Sequence, residues 1–157
     1  MDKEQNRMTD MSEILIHVME QQLSQAKQSE DQRSTITNII VLIAAAIQGG
    51  LTQTGFTKNA LPLTIMLILT GLFGLVATTK LYERFRYHYE VMRQIRKKLE
   101  ALHPDTTITA CLDAAWQEHI KKHPVVATKI RLYVVWSTLH ILIAVLGVIY
   151  TLIILIK

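Results

Sequence analysis

Three apolar runs, residues 35–56, 61–79 and 133–156, constrain this chain more than any motif in it. An α-helix needs about 20 apolar residues to cross a hydrocarbon core about 30 Å thick, and none of the three runs contains Asp, Glu, Lys or Arg. Half of the 157 residues are hydrophobic, which a soluble domain tolerates. What a soluble amphipathic helix does not do is exclude charge from whole blocks of sequence. Here the charges fall almost wholly within residues 1–33 and 80–131. The pattern predicts an all-α integral membrane protein with three transmembrane helices and helical extensions in the cytoplasm. Its expected divisions are an amphipathic helix at 1–34, a hairpin at 35–79 with spans at 35–56 and 61–79, a basic helical region at 80–131, and a third span at 132–157.

Basic residues set the expected orientation. Residues 80–131 hold Lys80, Arg84, Arg86, Arg93, Arg96, Lys97, Lys98, Lys121, Lys122, Lys129 and Arg131, whereas the 51–60 connection holds only Lys58. The positive-inside bias assigns the long segment to the cytoplasm. Three spans then put the amino terminus inside, and the 52–59 loop and Lys157 outside. The first apolar run follows a long acidic segment, so no secretory signal is expected. The net charge of +4 is mainly this asymmetry. It also suits anionic lipid headgroups, while the mixing of acids among the bases argues against nucleic acid as a partner. The single cysteine, Cys111, excludes an internal disulfide and a cysteine zinc cluster, and its expected role is that of a small buried hydrophobe.

Within the spans, Ala45 with Gly49 and Ala46 with Gly50 have the small-xxx-small spacing that lets another helix approach closely. Gly71 and Gly74 on the second span offer a matching thin surface, so a tight hairpin closed near Gly55 is expected, with subunit association as the alternative use of the same residues. Pro62 fits the first turn of the second helix. Gln48 in the first span and His140 in the third are the polar exceptions. An ionisable group in hydrocarbon is a functional hypothesis by default, and both residues are candidates to line a pore; the competing expectation for His140 is a hydrogen bond to Gln48, Ser137 or a backbone carbonyl.

Outside the spans, residues 10–33 form an amphipathic pattern through Ile14, Leu15, Val18, Met19, Leu23 and Ala26, with Thr9 or Asp10 as the expected cap. No breaker separates Thr79 from Leu102, so the second span is expected to run on as one rod from Leu61 to Leu102. Tyr82, Phe85, Tyr89, Met92, Ile95, Leu99 and Leu102 make a coiled-coil-like seam on it. The acids Glu13, Glu20, Glu30 and Asp31 of the first helix are expected to face its basic flanks. A shorter helix at about 107–123, capped by Asp105 or Thr106, carries Leu112 and Trp116 on a docking face. Tyr82, Phe85, Tyr89, Met92, Ile95, Leu112 and Trp116 are therefore the candidate partner-docking residues. His119 and His123 have metal-ligand spacing, but no HExxH motif completes a site, and Arg84 with His88 is one residue short of an RNA-cleaving pair. No metal, cofactor or enzymatic activity is expected.

The order of a polar first helix, a two-span hairpin with a short outer loop, and the basic helix KLYERFRYHYEVMRQIRKKLEAL resembles the SLATT-type small membrane effectors of bacterial antiphage defence systems. The resemblance covers about residues 14–102; the third span departs from the two-span pattern, and the chain carries no nucleotide-sensing domain. It implies an inner-membrane protein that forms homo-oligomers and breaches the bilayer when a partner sensor signals infection. The expected function is thus an oligomeric pore-forming or membrane-disrupting effector, with a membrane anchor or adaptor for a soluble partner as the alternative.

Overall fold

The computed structural model describes residues 2–129 and 131–156, and among these every regular element is helical. Helix α1 covers Asp2–Thr54, α2 Leu61–Leu102, α3 Ile108–Lys122, α4 Pro124–Thr128 and α5 Leu132–Ile156; a 3-10 turn at Lys58–Ala60 precedes α2. Three of these helices, α1, α2 and α5, are long and apolar enough to cross a membrane. The expected position of Lys157 falls outside the described residues.

Helix α2 runs unbroken for 42 residues, about 63 Å at ~1.5 Å per residue, as the lack of any Gly-Pro break before His103-Pro104 requires. Helix α1 corrects the expected start. It is a single 53-residue helix beginning at Asp2, so Thr9 and Asp10 are interior positions and cap nothing. Its hairpin end is set by backbone chirality: Gly55 and Phe56 adopt φ of 66° and 54°, the left-handed region that stops a helix. The Ala60 amide then bonds the Thr57 carbonyl at 2.8 Å and starts α2.

The chain divides into two compact units, one made of Met1–Glu30 and Glu83–Arg131, the other of Asp31–Tyr82 and Leu132–Lys157. In the second unit the large side chains sit outside. Phe73 is 65% exposed, Val76 67% and Leu42 69%, an apolar exterior of the kind a bilayer solvates and water does not. Its interior is made by close approach. A Cβ on Gly71 would stand 2.5 Å from the Ala144 backbone nitrogen, and one on Gly147 would stand 2.7 Å from Ile68 Cγ1. The glycines of α2 therefore admit α5, not the small-residue face of α1 that the spacing predicted. Only Gly74 also meets α1, through Ile40 Cδ1. Aromatic pairs bracket the unit, Phe56 with Tyr150 at 5.2 Å between ring centroids and Tyr82 with Tyr133 stacked at 4.3 Å.

Burial along the helices follows a seven-residue rhythm. On α2, Thr64, Gly71, Thr78, Phe85, Met92 and Leu99 recur every seven residues, each buried or half-buried. Ser12, Met19, Ala26, Arg33, Ile40 and Ile47 do the same on α1. A 3.5-residue average spacing keeps a seam facing its partner as in coiled coils.

Gly71→Val should lower the stability of the helical fold by about 1–3 kcal/mol, the usual cost of overpacking. Gly49→Val, with nothing of its own chain within 4 Å of the added carbon, should change the stability of the dissociated single chain by less than about 0.5 kcal/mol. Unfolding in mixed micelles, followed by circular dichroism, measures both.

Candidate functional site

The sequence-predicted residues separate into interior and surface groups. His140 is wholly interior, with no exposed area. Its Nε2 lies 3.3 Å from Thr37 Oγ1 of α1, and Gly74 of α2 leaves the space its ring occupies, since a Cβ there would collide with Nδ1. The bond partner is thus Thr37, not Gln48 or Ser137. Enclosed by three helices of its own chain, His140 presents no surface to a lumen between copies. A second polar link joins α2 to α5: the Thr151 hydroxyl donates to Thr64 Oγ1 at 2.8 Å, and Thr64 donates to the Leu61 carbonyl at 2.9 Å. Interhelical hydrogen bonds of this kind hold helices together where hydrocarbon gives no hydrophobic drive.

Ala45, Ala46 and Gly49 lie on the exposed side of α1, with Gln48 and Gly50 half-buried beside them. The intramolecular contacts of this stretch go through the neighbouring positions Ala44, Ile47 and Leu51, which are buried. Ala45, Ala46 and Gly49 are therefore unused within one chain, whereas Gly50 lies beside Leu63 of α2. Ile36, Ile39, Ile40, Ile43, Leu69, Thr70 and Phe73 border an apolar crevice of about 400 Å³ on the same unit.

In the other unit, the first helix and the distal half of α2 are joined by polar bonds that the sequence pattern did not single out. His88 Nδ1 donates to Gln22 Oε1 at 2.6 Å, Arg84 Nη2 donates to Gln25 Oε1 at 2.8 Å, and Ser12 Oγ lies 2.8 Å from His103 Nε2. The acids expected to face the basic flanks, Glu13, Glu20, Glu30 and Asp31, are all exposed. Two glutamine amides and a serine hydroxyl make these three bonds.

Of the expected docking residues, Met92 and Ile95 are buried in this unit, and Phe85 is half-buried with its ring 6.2 Å from that of Tyr89. Tyr82 is engaged with Tyr133 in the other unit. Tyr89, Leu112 and Trp116 remain on the surface, each about half exposed. They line a groove of about 780 Å³ together with Arg93, Arg96, Lys97, Thr109, Asp113, Ala115 and His119. That volume is of the size that binding clefts have. Trp116 is 50% exposed and stacks on His119 at 5.7 Å. The nearest described ion pair, Arg93 with Glu90 at 3.6 Å, is exposed on both sides and holds the arginine only weakly.

The groove exists because α3 is fastened at its first turn. Thr107 occupies the cap position without a side-chain cap bond, in place of the expected Asp105 or Thr106. The Glu100 carboxylate of α2 does the capping from outside the helix: Oε1 accepts from the Thr109 amide and Oε2 from the Thr109 hydroxyl at 2.7 Å. An orphan amide is satisfied and a negative charge sits at the positive end of the helix dipole. The Thr109 hydroxyl, followed by its amide, holds the Glu100 carboxyl below its usual pKa of 4.5. Beyond that clasp α3 buries no residue. Cys111 is exposed on it, a correction to the expected buried hydrophobe, because a helix with no covered face has nowhere to hide a thiol.

No family model, curated protein or solved structure matches this chain.

Because the folded Glu100 pKa is lowered, its contribution is complete above about 4.5 and disappears as pH falls through the lowered value. Trp116 fluorescence in a Trp136→Phe background should therefore change on acidification below pH 4.5. In Glu100→Gln that acid transition should vanish, with α3 amides exchanging hydrogen faster at neutral pH.

Proposed function

We propose that this protein is a multi-pass α-helical protein of the bacterial inner membrane that works as a homo-oligomer and gates or breaches the bilayer. The observation that carries the reading is the unused face of Ala45, Ala46 and Gly49 on an exterior otherwise built of large apolar side chains. Small residues let a second helix approach to backbone distance, which is the main source of helix association in lipid. Half-buried Gln48 lies beside that face. A glutamine at such a depth favours a partner across an interface or a wet surface, and it is the pore-lining residue of this reading. The interior of one copy is filled around His140, so any aqueous path lies between copies.

The bias of Lys and Arg toward residues 80–131 supports a cytoplasmic amino terminus, an external hairpin loop and an external carboxyl terminus. The likeness in helix order to SLATT-type effectors supports a role in antiphage defence, with a cytoplasmic sensor protein delivering the signal. A second reading, a membrane anchor that docks a soluble protein, is favoured by one observation, the half-exposed Trp116 in a groove with three cations. It requires monomers or dimers and a stoichiometric soluble companion.

Native mass of the protein in nanodiscs should give a closed ring of several copies. Ala46→Leu should reduce it to monomers and lower ion flux at least about tenfold, a loss of about 1.4 kcal/mol of association per contact. An unchanged oligomer in Ala46→Leu would remove this face from the interface, and a monomeric wild type would remove the pore reading.

A further inference from the structure

The groove beside α3 and the outer side of α1 in the same unit are complementary to each other. Glu13, Ile16, Glu20 and Leu23 follow one another at intervals of three and four residues and form a ridge along α1. All four are exposed, Ile16 and Leu23 each at 44%. Ser12 and Ala26, which α1 buries, lie about a quarter of the helix circumference away at 100° per residue. The ridge is thus not consumed by packing within the chain, and neither acid takes part in the described ion pairs. Across the groove stand Arg93, Arg96 and Lys97, with Tyr89, Leu112 and Trp116 as its apolar lining. One surface alternates carboxylates with aliphatic side chains; the other joins three cations to aromatic and aliphatic ones, with Asp113 as its one carboxylate, so it keeps an excess of positive charge.

We propose that the groove of one copy receives the Glu13–Leu23 ridge of a second copy. An amphipathic helix laid in an apolar groove is a general recognition mode. The ridge spans about 15 Å along the axis, three turns of helix, and the two carboxylates meet the three cations while Ile16 and Leu23 cover Leu112 and Trp116. Docking would give α3 the covered face that it lacks in one chain. The contact is heterologous, because ridge and groove are different surfaces, so each copy gives a ridge to one neighbour and a groove to another and the arrangement propagates into a ring or an open chain. The inference rests on the reading that the protein works as an assembly of copies, and it adds a cytoplasmic contact to the one in the membrane.

The test uses the full chain carrying two different affinity tags, purified together from mixed micelles. Arg93→Glu with Arg96→Glu and Glu13→Lys with Glu20→Lys are each expected to lower co-purification of the two tags at least tenfold. Mixing one variant with the other should restore it, because each variant's altered surface then meets its opposite charge; the rescue also shows that both variants are folded. Wild-type association should weaken as salt is raised. Unchanged co-purification in both variants, with Ala46→Leu dispersing the protein, overturns the groove contact and leaves the assembly intact. Absence of association in the wild type overturns both. Reduced binding of the arginine variant to vesicles of anionic lipid, with copy association unchanged, overturns the contact in favour of a headgroup site.

Discussion

The distance between α2 and α5 decides the organisation of the apolar unit. At Gly71 the backbone of one helix lies where a methyl group of the other would have to stand, and at Gly147 the relation is reversed. In hydrocarbon, burying apolar surface yields little, because the lipid tails are as apolar as leucine. What remains is dispersion at short range and the hydrogen bonds that helices can share. The glycines supply the first, and Thr37 with His140 and Thr64 with Thr151 supply the second. Having no need to bury its large residues, the unit turns Leu42, Phe73 and Val76 outward. A water-soluble bundle of the same length would be arranged the other way round.

This inversion explains how much of the fold was legible in the sequence. The three apolar runs and the unbroken stretch from Leu61 to Leu102 were plain, because bilayer thickness and helix breakers act on a single segment at a time. The pairing of the glycines was not. Small-xxx-small spacing states that some helix can approach, and it does not say which; Gly71 fits α5 because Ala144 stands opposite, a fact about another part of the chain. The stripe on α1 was legible in part: Ala26 is buried and Leu15, Val18 and Met19 are half-buried, while Ile14 and Leu23 are exposed and the polar Ser12, Ser29 and Arg33 hold buried positions that apolar periodicity does not mark. The polar pairs Gln22–His88 and Gln25–Arg84 mark the seam only once both helices are seen together.

The candidate site was half legible for the same physical reason. Leu112 and Trp116 line one groove, and their shared side of α3 follows from a four-residue spacing, which is local. Glu100 was not, because a carboxylate that caps a helix from another element leaves no mark at the cap position; Thr107 there makes no side-chain cap bond. Sequence reasoning searches for caps beside the helix, and here the cap lies at the end of the preceding one, across the His103–Thr106 turn whose Thr106 amide bonds the His103 carbonyl at 2.9 Å.

The two units therefore solve different solvent problems with one pair of helices. In the apolar unit the buried threonine hydroxyls are satisfied close at hand: Thr78, for instance, donates to the Gly74 carbonyl at 2.7 Å, so a buried hydroxyl there costs little. In the other unit the polar groups bridge helices, and apolar residues are left at the surface, Ile14 among them at 64% exposure. A water-facing surface that keeps isoleucine, leucine, tyrosine and tryptophan exposed loses the free energy that burial of each would return, about 25 cal/mol for every Å² kept from solvent. A helix such as α3, clasped at one end by Glu100 and covered nowhere, recovers that energy only when something is laid against it. A single chain thus leaves two surfaces uncovered, one of small residues in the first span and one of large residues beside α3, and the proposed association rests on these two surfaces.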